Sequence, residues 1–380
     1  MTKPGEQPIT LVPGRELPPE RIVVRSDLEN VGARPWPQRL AFGVVGIALF
    51  VCALGLMKAG AALLIPSLQG SIFTDNAWST LGLGWLGSCL VMSGSPVAAS
   101  ALALLDGGAI DRTQAFTMLT GSRLGASFVV VVVGVVYSLR HQGQGQRRAP
   151  ISIGVLSLMM TAVIYLPGAA LGFMLLNRGT FDGLNIGTSP VLTSATDAAF
   201  GWTVDLVTSF APGWSLFPIG LALLVAGFNC FDRSLPSVGS GDLDSREVAW
   251  STRLWPMFLA GCVVTTLTLS VSVSLTLLVP LVAKGHVRRS NTLPYIAGAN
   301  ITTLVDTLVA AILIGNQDAV RVVVAVTTVV TVLTVVVLLT IYPLMRRSML
   351  RAARAILASN TRLAGFTAIL FLIPVSLIVV

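Results

Sequence analysis

The sequence predicts an all-α polytopic membrane protein, and three observations carry that prediction. Apolar residues make up 54% of the 380 and charged residues only 11%. Mean hydropathy is +0.81. Runs such as FVVVVVGVV, Phe128 to Val136, belong to stretches nearly free of charge, and about 20 such residues in a helix cross a hydrocarbon layer of roughly 30 Å. A soluble domain of this length does not carry such a composition.

The elements follow in order. Residues 1–39 are polar, contain proline and mix Arg with Glu; with no short apolar core and cleavage site, they read as a cytoplasmic tail and not a signal peptide. Apolar segments follow at 40–67, 80–105, 115–139, 152–176, 206–228, 255–283, 293–315, 321–342 and 363–380. Basic clusters fall between them: Arg34 and Arg39; Arg140, His141, Arg147 and Arg148; Lys284, His286, Arg288 and Arg289; Arg346, Arg347, Arg351 and Arg354. The bias of Lys and Arg toward cytoplasmic loops places all four inside, so the net charge of +8 is a topology signal and not a nucleic-acid surface.

Three full spans between the first two clusters would leave the chain on the wrong side, so one segment must turn back. The segment 80–105 fits: WLGSCLVMSGSPVAASALALLDGG carries Gly and Ser pairs and has Pro96 at its middle, where a helix breaks. It is expected as a re-entrant hairpin entering from outside. The segments 152–176 and 206–228 then span, with 177–205 an external loop bearing Asp182, Asp197 and Asp205, and a cytoplasmic loop near 229–253. The segment 255–283, broken around Ser270 to Ser274, must enter and leave on the cytoplasmic side. The expected organisation is a tail (1–39), a transmembrane repeat (40–176), the external loop, a second repeat (206–342), and a basic segment with a final span (343–380).

Opposed hairpins imply a duplicated sequence, and an offset of 177 residues reveals one. It places Ser93 on Ser270, Ser95 on Ser272, Gly108 on Gly285, Gly121 on Gly298, and Leu124 on Ile301. MSGS (Met92 to Ser95) followed by GSRLGAS (Gly121 to Ser127) thus aligns with LSVS (Leu269 to Ser272) followed by GANITTL (Gly298 to Leu304). The expected architecture is two inverted-topology repeats, each with a re-entrant hairpin and a discontinuous transmembrane helix. Such duplications are typical of secondary transporters, which hold substrate near the bilayer midplane between broken helices.

The pattern resembles the type II sodium/phosphate cotransporters, whose halves each carry a Gln-Ser-Ser-Ser hairpin and then a Gly-Ala/Ser-Asn-Ile-Gly-Thr stretch. LSVSVSLTLLVPLVAKG (Leu269 to Gly285) followed by GANITT is similar to the second-half pattern, including Val279 to Leu281 as Val-Pro-Leu. In layout the likeness covers about residues 40–342. Met92 and Leu269 stand where the family has glutamine, Gly94 and Val271 where it has the middle serines, Arg123 in place of the first-half asparagine, and Thr302 in place of glycine. The resemblance implies sodium-coupled phosphate symport, with no cofactor beyond sodium as coupling ion.

The residues themselves allow the following. Ser93, Ser95, Ser270 and Ser272 at helix breaks donate hydroxyls to an oxyanion, or bond back to helix carbonyls. Asn300, Thr302 and Thr303 offer oxygens to sodium, or Asn300 makes an interhelical hydrogen bond. Gly121, Gly125 and Gly298 are close-packing positions. Arg123 and Asp306 are ionisable groups deep in an apolar environment. They form an ion pair between the halves, or Arg123 holds the anion or takes the place of a sodium ion while Asp306 binds a cation or proton. Asp106, Asp111 and Arg112 read as a solvated outer rim, and His141 and His286 sit in basic loops. Cys52, Cys89, Cys230 and Cys262 lack paired or metal spacing and read as packing residues. With no nucleotide loop, nucleophile–base arrangement or metal cluster, the chain is not expected to be an enzyme or an ATP-driven pump. Its place is expected to be a bacterial plasma membrane, N-terminus inside. The alternatives to symport are a degenerate, non-transporting scaffold or regulatory subunit, and a sodium-independent anion carrier.

Overall fold

The computed structural model describes residues 35–68, 71–140, 149–184, 198, 201–234, 252–283 and 287–379. Most of the N-terminal tail, residues 141–148, Lys284 and His286, and most of the two long loops lie outside the described residues. All described secondary structure is helical, with no strand among the described residues. In chain order the helices are α1 (Trp36–Leu68), α2 (Ala77–Val91), α3 (Gly94–Asp106), α4 (Arg112–Arg140), α5 (Ala149–Asn177), α6 (Trp202–Phe210) and α7 (Leu216–Ser234). Then come α8 (Leu254–Thr268), α9 (Val271–Ala283), α10 (Thr292–Thr302), α11 (Leu304–Ile314), α12 (Gln317–Thr340), α13 (Tyr342–Ile356) and α14 (Asn360–Val379). Among the described residues seven helical stretches are long and apolar enough to cross a membrane: α1, α4, α5, α7 with its 3-10 lead-in, α10 with α11, α12 and α14. The chain is a multi-pass membrane protein by this measure.

The helix α2 starts at a capping box. Asn76 Oδ1 accepts from the amides of Trp78 and Ser79 at 2.7 and 3.0 Å, and Ser79 Oγ accepts from the Asn76 amide at 3.0 Å. It ends at Met92, whose φ of 57° is left-handed. The amide of Ser93 reaches back to the Ser88 carbonyl at 3.2 Å, as a helix terminus of this kind requires. The break therefore lies before Pro96, and not at it. Pro96 falls in the first turn of α3, where a missing N–H leaves no helical bond unmade. In the other segment the break comes at Leu269, also left-handed with φ 49°, just ahead of Ser270. Among the described residues Met92 and Leu269 are the two non-glycine positions of positive φ, and they are 177 residues apart.

The packing repeats at that same offset. A methyl group on Gly84 would strike the Met118 carbonyl, and one on Gly261 the Tyr295 carbonyl. A methyl on Gly121 would strike Leu81 O and Trp85 N, and one on Gly298 would strike Phe258 O and Cys262 N. Each partner in the second set lies 177 residues after its counterpart in the first. Gly121 faces Leu81 and Gly125 faces Trp85, four residues on in both helices, so α2 and α4 run parallel. The helix α3 carries the chain back between them, its start at Gly94 lying against Ser122 and Ala126, near the middle of α4.

Against α1 the helix α7 runs the opposite way. Gly46 meets Gly227, Gly220 lies against Ala53 and Met57, and Gly60 meets Phe217. Small residues allow these backbones to approach closely, as membrane helix pairs require.

Two expectations are corrected. The first long helix of the predicted repeats is not discontinuous: α4 runs unbroken from Arg112 to Arg140, since it contains no proline and Gly134 stays helical, packed on the start of α5. Its counterpart is interrupted only at Thr303, which keeps right-handed backbone angles of −63° and −17°. The segment expected at 206–228 is two helices, because Pro212 stops α6 before α7 begins.

Candidate functional site

The site is built where α4, α5 and the α10–α11 junction meet. Arg123 projects from the middle of α4 and Asp306 from the first turn of α11, and each side chain is 4% exposed. Arg123 Nη2 lies 3.6 Å from Asp306 Oδ1. That separation is an ion pair without a direct hydrogen bond. Thr307 stands between them: its hydroxyl accepts from Arg123 Nη2 and donates to Asp306 Oδ1 at 2.8 Å. Arg123 Nη1 donates to Thr303 Oγ1 at 3.1 Å. The pair is left partly unsatisfied, since Arg123 Nε and Asp306 Oδ2 are buried without a hydrogen-bond partner among the described residues. An unpaired buried polar atom carries the full desolvation penalty of the group, so these two atoms are where a ligand, ion or proton would act.

A second cluster adjoins the first. Asn300 Nδ2 donates to Thr161 Oγ1 at 2.9 Å, and Tyr165 Oη donates to the Asn300 carbonyl at 2.8 Å. Ser127, one helical turn from Arg123, donates to the same Thr161 oxygen at 2.8 Å, while Thr161 donates to Ser157 O at 2.9 Å. Asn300 thus makes the interhelical bond that was one of its two readings. Thr302 bonds back to the Gly298 carbonyl at 3.2 Å.

Of the sequence-derived residues, the structure brings together Arg123, Thr303 and Asp306, with Asn300 in the adjoining network. Ser93 and Ser95 flank Gly94, which packs on Ser122 and Ala126 of α4. Neither serine hydroxyl makes a hydrogen bond within the described residues. Ser270 Oγ caps its own helix by accepting from the Val273 amide at 3.3 Å. Ser272 is half-buried, and neither it nor Ser270 bonds to the Arg123 cluster. Their helix, α9, packs on α4 and α5.

Sequence reasoning missed the α5 contributors. Ser157, Thr161 and Tyr165 are all fully buried, and their spacing of four residues in an apolar helix makes one polar stripe. It also missed Lys58, whose Nζ lies 3.0 Å from Asp106 Oδ2. Asp106 is no solvated rim residue. It also accepts from Asn316 Nδ2 at 2.9 Å, while Asn316 Oδ1 caps α12. The more exposed neighbours form a network: Arg112 to Asp182 at 2.7 Å and to Asp318 at 3.7 Å, and Arg321 to the Asp182 carbonyl at 2.8 Å. Asp111 is taken up locally, accepting from Thr113 Oγ1 and the Gln114 amide. Among the described residues no group of three or more His, Cys, Asp or Glu side chains converges as a metal site.

No protein-family model, no curated protein and no solved structure matches this chain.

Proposed function

We propose that the chain is a secondary transporter for an inorganic oxyanion, with phosphate the first substrate to test and sodium the coupling ion, in the manner of the type II sodium/phosphate cotransporters it resembles in sequence. The observation that carries this reading is the recurrence, at one offset, of both left-handed helix breaks and the helix contacts around them. It supports two related halves. The antiparallel run of α1 and α7, which the same offset relates, supports halves of opposite topology. Each of α2–α3 and α8–α9 is then a re-entrant hairpin, and inverted hairpins are where secondary transporters place substrate.

In this reading Ser93 and Ser95, at a helix start that packs on α4, offer hydroxyls that make no hydrogen bond within the described residues, and Arg123 of α4 supplies the positive charge an oxyanion needs. Ser270 and Ser272 reach the anion from the second hairpin once the halves move. Asp306 uses its unpartnered Oδ2 for the cation or proton, with Thr303, Asn300 and Thr302 as the neighbouring oxygens. The arginine also takes the place of one sodium ion, which lowers the number of ions coupled. The membrane is the plasma membrane, with the N-terminus cytoplasmic.

A second reading, a non-transporting scaffold, is favoured by one observation: the Arg123–Thr307–Asp306 bridge and the Asn300 amide already use most of the polar groups at the junction. Uptake of phosphate into proteoliposomes, with and without an inward sodium gradient, separates the two. Sodium-driven uptake that Asp306→Asn abolishes supports symport. Uptake without sodium dependence supports an anion carrier. Folded, inserted protein that takes up no phosphate, arsenate or sulfate sinks the transport reading. Arg123→Asn tests the fixed cation separately, since an unchanged sodium dependence would remove that role.

A further inference from the structure

Between the last two membrane-crossing helices lies α13, a helix of a different kind. It follows α12, which ends at Thr340, and precedes α14, which begins at Asn360, and is not itself among the helices long and apolar enough to cross a membrane. Met345, Met349, Ala353 and Leu357 are buried, and the helix packs on α5, α12 and α14. Arg347, Arg351 and Arg354 are exposed at spacings of four and three residues, which aligns them on one face. Arg362, exposed at the start of α14, lies close enough for its Nη1 to reach the Ala355 carbonyl at 3.4 Å. The apolar face is therefore spent on the protein, and the guanidinium stripe is turned outward.

Among the described residues no carboxylate forms an ion pair with this stripe. Residues 319–380 contain no Asp or Glu. The bonds of Arg351 and Arg354 go to their own helix, to Arg347 O at 3.4 Å and Leu350 O at 3.2 Å. Ile341, which precedes the helix, and Leu344, in its first turn, are 47% and 66% exposed, an apolar pair next to the end of α12. Leu344, Arg347, Arg351 and Arg354 follow at spacings of three, four and three and share one face, apolar at its start and cationic beyond. That order matches the layered chemistry of a leaflet, with phosphodiesters over acyl chains. The anion most concentrated at that depth is the lipid headgroup. Arginine binds phosphate through paired N–H donors, which lysine does not.

We propose that α13 is a docking surface for anionic phospholipid, with Arg347, Arg351 and Arg354 on the headgroup phosphates and Ile341 and Leu344 in the acyl region. This inference is independent of the transport reading and survives its failure.

The test uses the full chain, purified and mixed with phosphatidylglycerol or phosphatidylcholine, with retained lipid counted by native mass spectrometry and binding measured by headgroup-labelled lipid. The wild type is expected to retain phosphatidylglycerol preferentially. The triple variant Arg347→Gln, Arg351→Gln, Arg354→Gln should bind it on the order of 100-fold more weakly, at roughly fivefold per arginine. The triple Arg→Lys variant keeps the charge but loses the paired donors, and should bind more weakly than the wild type and more tightly than the Gln variant. Excess inorganic phosphate should not displace the lipid, because the acyl contacts are not replaced. Equal phosphatidylglycerol binding by wild type and the Gln variant would overturn the proposal, and so would displacement by free phosphate. Should the Gln variant not fold, the wild type alone decides: retention that falls steeply with salt supports the headgroup contact, and retention indifferent to salt overturns it.

Discussion

Arg123 and Asp306 are 3.6 Å apart and are joined through Thr307, whose hydroxyl faces both. One residue comes from α4 and the other two from α11, so the bridge ties the first half of the chain to the second. Each charge is 4% exposed, and a buried charge left without its partner is far more costly than the intact pair is stabilising.

Removing one partner should therefore show the asymmetry. Arg123→Met leaves Asp306 unpaired and is expected to lower stability by about 3–5 kcal/mol. The double variant Arg123→Met, Asp306→Leu should recover most of that loss. Thermal unfolding in detergent is the measurement, and single variants that melt like the wild type would show that the pair carries no structural weight. Thr307→Val removes only the bridge and is expected to cost about 1–3 kcal/mol by leaving buried groups unsatisfied.

Gly121 and Gly298 make the same close approach in the two halves, each against a backbone carbonyl and amide of the neighbouring helix. Gly121→Ala and Gly298→Ala should each push their helix pair apart at a loss of about 1–3 kcal/mol. Gly55 is the control, because a methyl there meets nothing within 4 Å. Gly55→Ala should be neutral or gain up to about 1 kcal/mol from helix propensity. Equal melting of all three variants would remove close packing as the reason for the glycines.

The left-handed breaks predict a residue-specific response. Met92 is 38% exposed, so its side chain contributes little packing while its backbone carries a strain of about 1–2 kcal/mol. Met92→Gly should keep or raise stability, whereas the β-branched Met92→Ile should lower it, since branching at Cβ is least compatible with positive φ. The same order is expected at Leu269. If Ile and Gly variants melt together, the backbone there does not hold its left-handed geometry in solution.

How far these features could be read in advance depended on their chemistry. Arg123 and Asp306 were legible because ionised side chains are rare in apolar segments and expensive there. The offset of 177 was legible because glycine and serine recur at it. The position of the first break was not, because Pro96 is the visible breaker while the chain turns at Met92, a residue type that seldom adopts the left-handed region. Lys58 was hidden by the length of α1, and nothing in sequence joins it to Asp106. The arginines of α13 were read as a topology signal alone. Their alignment on one face, with methionines beneath, emerges only when the helix is placed on its neighbours.

Thr161 is the node of the polar network on α5, and its loss should exceed that of a peripheral member. Its hydroxyl oxygen accepts from Ser127 Oγ and Asn300 Nδ2 and donates to Ser157 O. Thr161→Val keeps the shape but strands the Asn300 amide and leaves Ser127 Oγ only the Arg123 carbonyl at 3.3 Å, an expected cost of about 1–3 kcal/mol. Tyr165→Phe removes a single donor to the Asn300 carbonyl and should cost about 0.5–1.5 kcal/mol. If Asn300 supplies oxygen to a coupling ion, Thr161→Val should also weaken sodium dependence of uptake by freeing the amide to rotate, while Tyr165→Phe should not. Equal stability losses would mean the network relaxes around Thr161. Unchanged sodium dependence in a folded Thr161→Val protein would assign Asn300 to holding α10 against α5 and to nothing more.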